Sequence, residues 1–386
     1  MPVVTFLAVS LNTFFGLAQM TSAAPQKRSE VRRTFPLTKF YDTPSPLPAG
    51  KPGELIRSQE FDEYILPEGV NAFRILYHSR SASGEDVATS GVVLFPDGDA
   101  PRGGWPVLAW AHGEDGVARS CAPSLARNLQ HGPFLAMYVN LGYAVVASDY
   151  TGLGTSFRHA FADMQSNATD VINSVPAARA AVPHLGTRWL AIGHEEGGTA
   201  VAEVAQLEQE IRDPNYLGGV VISGLEDLQD VYQRASTLDG NLGLFLAYGI
   251  ETLYPHSAAS DTLTGKALPL YRKIAAACGD SSAHTAAEML KPDWERNPFA
   301  SQYLSRNRVG EKRAYGPLLV ISGAGAGNGT AKIVARLCNQ GDQVQFDPYP
   351  GSDSGQVIGD SVTHQIAWIR ARFAGEMAHS NCPGKQ

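Results

Sequence analysis

The stretch Arg188-Trp-Leu-Ala-Ile-Gly193-His194-Glu195-Glu196-Gly197-Gly198-Thr-Ala-Val-Ala-Glu-Val-Ala205 decides the fold. Its first part, Trp189 to Ile192, is a short apolar run of the length of a buried strand. The part from Gly197 onward reads as a helix. Between them Gly193-His194-Glu195-Glu196-Gly197 predicts a tight turn. Strand, tight turn and helix are the context of a nucleophile elbow, whose pattern is Gly-x-Ser-x-Gly. Position 195, at the centre of that pattern, holds a glutamate. The backbone context is that of a hydrolase, and the attacking hydroxyl is missing.

Outward from the elbow the same logic recurs. Phe73 to Ser79 and Val87 to Phe95 alternate around Ser81-Ala-Ser-Gly-Glu85 and predict a β-hairpin. Trp105 to Ala111 is an apolar run ending at His112-Gly113, and Tyr143 to Ser148 is another, ending at Asp149-Tyr150-Thr-Gly152-Leu-Gly154. Gly218 to Gly224, Leu318 to Ser322 and Gln343 to Phe346 follow. Continuous apolar runs separated by helical stretches predict an α/β fold, with a mostly parallel sheet covered by helices on both faces. Residues 225–304 break the alternation: they are helix-like, with Leu242 to Ala247 apolar and tyrosines at 248, 254 and 271. An insertion of that length predicts a helical lid over the site. Val362, Ile366, Ile369 and Phe373 stand at helical spacing in a closing helix. The expected organisation is a core of 61–224 and 305–375, a polar, proline-rich arm at 25–60 and a tail at 376–386.

Bulk properties narrow the partners. The 386 residues hold 31 Lys plus Arg against 38 Asp plus Glu, a net charge of −7. That balance argues against nucleic acid or an anionic membrane as the main partner, and leaves a small molecule. Residues 1–24 read as a secretory signal: Val3 to Leu17 is mostly apolar, and Thr21-Ser-Ala-Ala24 offers small residues for cleavage. No other apolar run reaches the length of a membrane span, so no stable membrane insertion is expected. The expected location is outside the cell or in the lumen of the secretory pathway. Four cysteines, at 121, 278, 338 and 382, suggest two disulfides in such a compartment and are too widely spaced for a zinc knuckle. Asn167-Ala-Thr and Asn328-Gly-Thr are glycosylation sequons. Gly323-Ala-Gly-Ala-Gly follows a strand but does not satisfy the dinucleotide fingerprint, so no cofactor is expected.

With these segments placed, the chain resembles the secretory lipase family, the lipase A type of α/β-hydrolase, over roughly residues 60–375. The matching pieces are His112-Gly113 with Ser120-Cys121-Ala-Pro-Ser124, and Asp149-Tyr-Thr-Gly-Leu-Gly154 with His159. Gly193-His194, Gly197-Gly198 and Tyr349-Pro-Gly-Ser-Asp353 complete them. The resemblance implies the α/β-hydrolase fold and the bridges Cys121–Cys278 and Cys338–Cys382. It also implies where a triad belongs. The family's serine falls on Glu195, its acid near Ala326 in a loop with no acid, and its histidine on Ser354. The oxyanion loop reads Glu114-Asp115. A triad needs a base to deprotonate the nucleophile and an acid to orient the base, and all three roles are vacant.

The carboxylates suggest what replaced it. Glu195 at a helix N-terminus is favoured as an anion, and a second carboxylate across the pocket is pushed toward its protonated form. One acid and one base in a pocket are the pattern of general acid–base catalysis. Glu195 and Asp115 are the expected catalytic pair, with Glu114, Glu196, Tyr150, His159, Ser354 and Asp353 around the substrate. Glu196 is either a pocket group or a solvated helix-start residue, and Asp353 reads as a turn cap. Four readings follow. The first is a cyclase, isomerase or lyase acting on a small organic secondary metabolite, with a preference for cationic species. The second is an inert binding protein. The third is a hydrolase with a carboxylate nucleophile, and the fourth a Ca²⁺ or Mg²⁺ site. The first is preferred, and no metal is expected.

Overall fold

The computed structural model describes residues 34–278, 283–324 and 329–383. The expected signal at 1–24, the arm residues 25–33, Ala326 and the sequon at Asn328 lie outside them.

Nine strands form one sheet in the order β1-β2-β3-β5-β4-β6-β7-β8-β9. The predicted hairpin is β2 (Val70–Arg80) and β3 (Asp86–Pro96), in unbroken register from Val70 opposite Pro96 to Arg80 opposite Asp86. β1 (Leu55–Glu60) pairs antiparallel with β2. The expected arm at 25–60 is thus corrected: 55–60 is an edge strand. The residues ahead of it dock around the buried Arg74, with further bonds from Phe35 N–H to the Leu125 carbonyl at 2.7 Å and between the Tyr41 and Ser124 hydroxyls at 2.8 Å. Arg74, 1 % exposed, lies against the rings of Phe35, Tyr41, Phe61 and Tyr64, and its Nε donates to the Tyr64 hydroxyl at 2.9 Å.

The rest of the sheet is parallel: β4 (Trp105–Ala111), β5 (Ala144–Ser148), β6 (Leu185–His194), β7 (Tyr216–Ile222), β8 (Leu318–Gly323) and β9 (Val344–Tyr349). Successive residues of a strand face opposite sides. Val107, Ala109, Trp189 and Ala191 therefore join one core layer, and Leu108, Trp110, Leu190 and Ile192 the other. Helices α2 (Met164–Ala181), α3 (Glu196–Ile211) and α10 (Gly329–Asn339) cover the first layer. Helices α1 (Gly132–Asn140), α11 (Val357–Asp360) and α12 (Val362–Ala374) cover the second. Burial on both faces is why these strands read as unbroken apolar runs.

Between β7 and β8 the chain forms α4 (Leu228–Tyr232), α5 (Gly240–Leu253), α6 (Ala259–Thr262), α7 (Leu268–Ala276), α8 (Ala286–Met289) and α9 (Pro298–Arg306). These helices share a core of their own, built around Leu244, Leu246, Ile250, Met289 and Trp294. Two contacts tie them to the sheet. The guanidinium of Arg158 lies 4.2 Å from the Tyr248 ring and donates to Glu251 at 2.8 Å. The Tyr303 hydroxyl donates to the Phe161 carbonyl.

Two more expectations change. The tail at 376–383 is docked: Asn381 exchanges backbone-mimicking bonds with Phe346 at 2.8 Å each way, beside the Cys338–Cys382 disulfide. The Cys121–Cys278 bridge is not formed. Both residues are thiols, with a sulfur–sulfur hydrogen bond between them and the Cys278 thiol 3.3 Å from the Asp115 carbonyl. No helix among the described residues is long and apolar enough to cross a membrane.

Candidate functional site

The site is built on the turn between β6 and α3. Glu195 has φ 53° and ψ −120°, a left-handed conformation that costs a non-glycine residue about 1–3 kcal/mol. Its surroundings hold it there. Its N–H donates to Ile222 in β7 at 3.0 Å, and its carbonyl accepts from Gly198 at 2.8 Å. Gly197 lets the turn approach β4: a Cβ there would stand 2.0 Å from the Ala111 carbonyl oxygen.

The Glu195 side chain lies in a small polar cluster. Its Oε1 accepts from the Ser354 hydroxyl at 2.8 Å. Its Oε2 rests against Gly113, where an added Cβ would come within 2.9 Å. The Glu114 carboxyl lies near enough that each carboxyl shifts the other. Burial opposes the Glu195 anion, but nearby His194, the Glu114 carboxyl, the bond from Ser354 and nearby His131 outweigh it and hold the carboxyl below the usual range. Glu114 is pushed well above that range by its depth in the protein and by the Glu195 carboxylate, while its own backbone N–H pulls the other way. Solvent reaches Glu114 from one side even though protein surrounds it closely. Water weakens the burial effect there, so the Glu195 charge is the firmer cause. Two carboxyls pushed in opposite directions form the pattern of a split acid–base pair.

The partner in that split is Glu114, not the expected Asp115. Asp115 is buried on the thiol side of the loop, where its charge acts on Cys121. The Asp115 backbone carbonyl accepts from the Cys278 thiol at 3.3 Å.

Glu196 is a protein-bound group rather than a solvated helix start. Its Oε1 accepts from the Ala162 N–H and from Asn167 Nδ2, both at 2.8 Å. Burial pushes its carboxyl up to about 7, those two bonds lower it, and Glu195 raises it further. The same contact corrects the sequon at Asn167. That side chain is 1 % exposed within α2 and its amide nitrogen is committed to Glu196, so the folded chain offers nothing to glycosylate.

Tyr150 and His159 are structural, not pocket residues. His112, Tyr150 and His159 form a buried stack, with ring centroids 4.1 Å and then 6.2 Å apart. The Tyr150 hydroxyl donates to the His112 carbonyl at 3.0 Å, and His159 Nδ1 to the Thr151 carbonyl at 3.0 Å. Burial lowers both imidazoles to about 4, which keeps them neutral. Asp353 is an exposed cap: its Oδ1 accepts from the N–H groups of Gly355 at 2.9 Å and Gln356 at 2.8 Å. Ser354 is brought to the elbow as expected.

Three contributors escaped the sequence reading. His194, 4 % exposed, donates from Nε2 to the Ser354 carbonyl at 2.7 Å, and its ring lies 5.7 Å from that of His131. Burial lowers His131 to about 4, helped by His194 and opposed by Glu195. Tyr232, on α4, is buried close enough to Glu196 and Glu114 to feel both charges. The insertion thus reaches the carboxyl cluster. No local pattern marks His131 or Tyr232. A hollow of about 460 Å³ lined by Asp99, Pro101 and His184 lies where β4 and β6 begin, at the far end from Glu195. Among the described residues no group of three or more His, Cys, Asp or Glu is arranged to hold a metal ion.

The raised Glu196 carboxyl makes a stability prediction. A folded-state value near 7 against an ordinary 4.5 contributes stability below about pH 4.5 that is lost as pH rises through about 7. Glu196→Gln keeps an oxygen for Ala162 and Asn167 but cannot ionise. Its unfolding free energy from urea titration should match the parent near pH 4.5 and exceed it above pH 8, by about 1–3 kcal/mol after allowance for partial exposure. Equal free energies at high pH would show that Glu196 ionises without strain.

No protein-family model matches the chain, and no curated protein sequence does. Solved structures do. Candida antarctica lipase A in its closed state is similar with a TM-score of 0.76 at 16 % identity, over 90 % of this chain and 89 % of that one. The rice cell wall degrading esterase LipA from Xanthomonas oryzae gives a TM-score of 0.68 at 18 % identity, over 84 % of this chain and 98 % of that one. The chain has the α/β-hydrolase fold.

Proposed function

We propose that this lipase-like scaffold carries a non-hydrolytic acid–base enzyme that cyclises or isomerises a small organic molecule. Glu195 is the base and Glu114 the acid. One observation carries the reading: a carboxyl stands at the elbow in place of the nucleophile, held by the Ser354 hydroxyl at 2.8 Å and drawn below the usual range, while the neighbouring Glu114 carboxyl is pushed above it. Glu195 takes a proton from the substrate and Glu114 returns one at another atom. Return of a proton from Glu195 to Glu114, directly or by way of solvent, then resets the pair, so no proton is gained or lost.

Other features support it. The elbow has no hydroxyl to attack an acyl group. Among the described residues no lysine or arginine forms an ion pair with Glu114, Glu195 or Glu196, which favours a cationic substrate or intermediate. The Cys338–Cys382 bridge suits a secretory compartment.

A second reading, a binding protein without turnover, draws on the fact that both Glu195 oxygens already have neighbours in Ser354 and Gly113. One experiment separates them. Neither the parent protein nor Glu195→Ser is expected to hydrolyse nitrophenyl esters or to be labelled by a fluorophosphonate. Incubation with small-molecule extracts should give a product of unchanged mass and altered retention. Robust ester hydrolysis by the parent sinks the proposal; capture of a compound without conversion favours the binding reading.

A further inference from the structure

Residues 161–164 lead the chain into α2 and form a strap that is gripped from two sides. On one side stand α5 and α9 of the insertion. The Phe161 ring lies 5.3 Å from that of Phe245 in α5. Gly249, one turn further along α5, lets that helix approach the strap backbone: a Cβ there would stand 2.7 Å from the Phe161 carbonyl oxygen and 3.2 Å from its nitrogen. The same carbonyl accepts from Tyr303 in α9. The Asp163 carboxylate accepts from Arg306 Nε at 2.5 Å, and the Met164 N–H donates to Asn307 Oδ1 at 3.0 Å.

On the other side stands Glu196, the residue after the elbow. Its Oε1 accepts from the Ala162 N–H in the middle of the strap and from Asn167 Nδ2 in α2, both at 2.8 Å. Ala162 has φ 58°, a left-handed conformation that a residue with a Cβ keeps only where its surroundings impose it. The strap is therefore held in shape by its contacts and not by its own preference. Glu196 is itself firmly based. It opens α3, whose Gly197 packs against β4 and whose Gly198 packs against the end of β7: a Cβ on either would stand 2.0 Å from the Ala111 carbonyl oxygen or 2.3 Å from that of Ser223. A shift of α5 and α9 that carries the strap with it must break the bonds to Glu196 or drag the elbow along.

We propose that Glu196 is a positioning residue that latches the helical insertion to the elbow through the strap at 161–164. The latch goes beyond the acid–base reading and is independent of any reaction at Glu195.

The test is amide hydrogen exchange of the full chain followed by mass spectrometry, which reads local opening segment by segment. It is run on the acid side of neutrality, where the Glu196 carboxyl is uncharged like the amide that replaces it. Glu196→Ala leaves the Ala162 and Asn167 donors without their acceptor. Exchange is expected to quicken by about 10–100-fold in peptides covering the strap, α5 and α9, while those of β4 and β7 keep the parent rates. Glu196→Gln keeps the acceptor oxygen and should return all of them to the parent rates. Glu196→Asp, one methylene shorter, is the milder variant should the alanine form not fold, and it should show the same distribution at smaller size. Quickening confined to the strap, with α5 and α9 at parent rates, overturns the inference, because the contact is then local. Equal quickening in β4 and β7 overturns it as general destabilisation, and so does a glutamine variant that fails to restore the parent pattern.

Discussion

Gly224→Ala is expected to leave no folded protein. Gly224 has φ +74°, and a Cβ placed on it would stand 1.8 Å from the carbonyl oxygen, 2.3 Å from the carbonyl carbon and 2.6 Å from the Cα of Glu195. All three are backbone atoms of the elbow, which β7 and α3 hold from both sides, so no side chain can swing away. Relief requires moving the turn, and with it the bonds of Glu195 to Ile222 and Gly198. A penalty above about 5 kcal/mol is the expected scale, comparable with the whole stability of an ordinary domain. Soluble yield and far-ultraviolet circular dichroism measure it. Gly69→Ala is the control: it shares the positive φ, at +84°, but meets nothing within 4 Å, so it should cost only about 1 kcal/mol. A folded Gly224→Ala protein would mean that the elbow adjusts without penalty.

Glu195→Gln is expected to abolish conversion while leaving the fold and substrate binding in place. The amide has the shape of the carboxyl, and its oxygen still accepts from Ser354. It cannot take a proton. Loss of a positioned general base lowers rates by about 10²–10⁴-fold. The measurement is formation of the mass-unchanged product, alongside substrate retention by equilibrium dialysis. Loss of conversion with retained binding supports the acid–base reading. An unchanged rate removes Glu195 from the chemistry and leaves the elbow a binding surface.

Parts of this architecture were open to reading in the chain. The hairpin of Val70–Arg80 and Asp86–Pro96 follows from alternation around a glycine-containing turn. The helical insertion follows from the break in strand alternation after Gly224. The site was half legible. Glu195 and Ser354 were placed by the motifs and meet at 2.8 Å. The sequence set Asp115 against Glu195; in the structure Asp115 is buried with its charge on Cys121, and Glu114 is the neighbour that acts on Glu195, an outcome of how one loop packs. The sequon at Asn167 is a local pattern with a correct local reading, overridden when α2 buried its amide against Glu196.

By itself the sequence determined the strand–turn–helix of the elbow, the alternation of the two core layers and the absence of a hydroxyl at position 195. Side-chain period and glycine sterics are local properties, and they are written in consecutive residues. Only the tertiary structure decided that Glu114 and Glu195 shift in opposite directions, that His131 and Tyr232 stand near them, and that Tyr150 and His159 withdraw into a neutral stack. Each of those outcomes depends on partners brought together from distant parts of the chain, where burial and neighbouring charge set the chemistry and no short pattern records it.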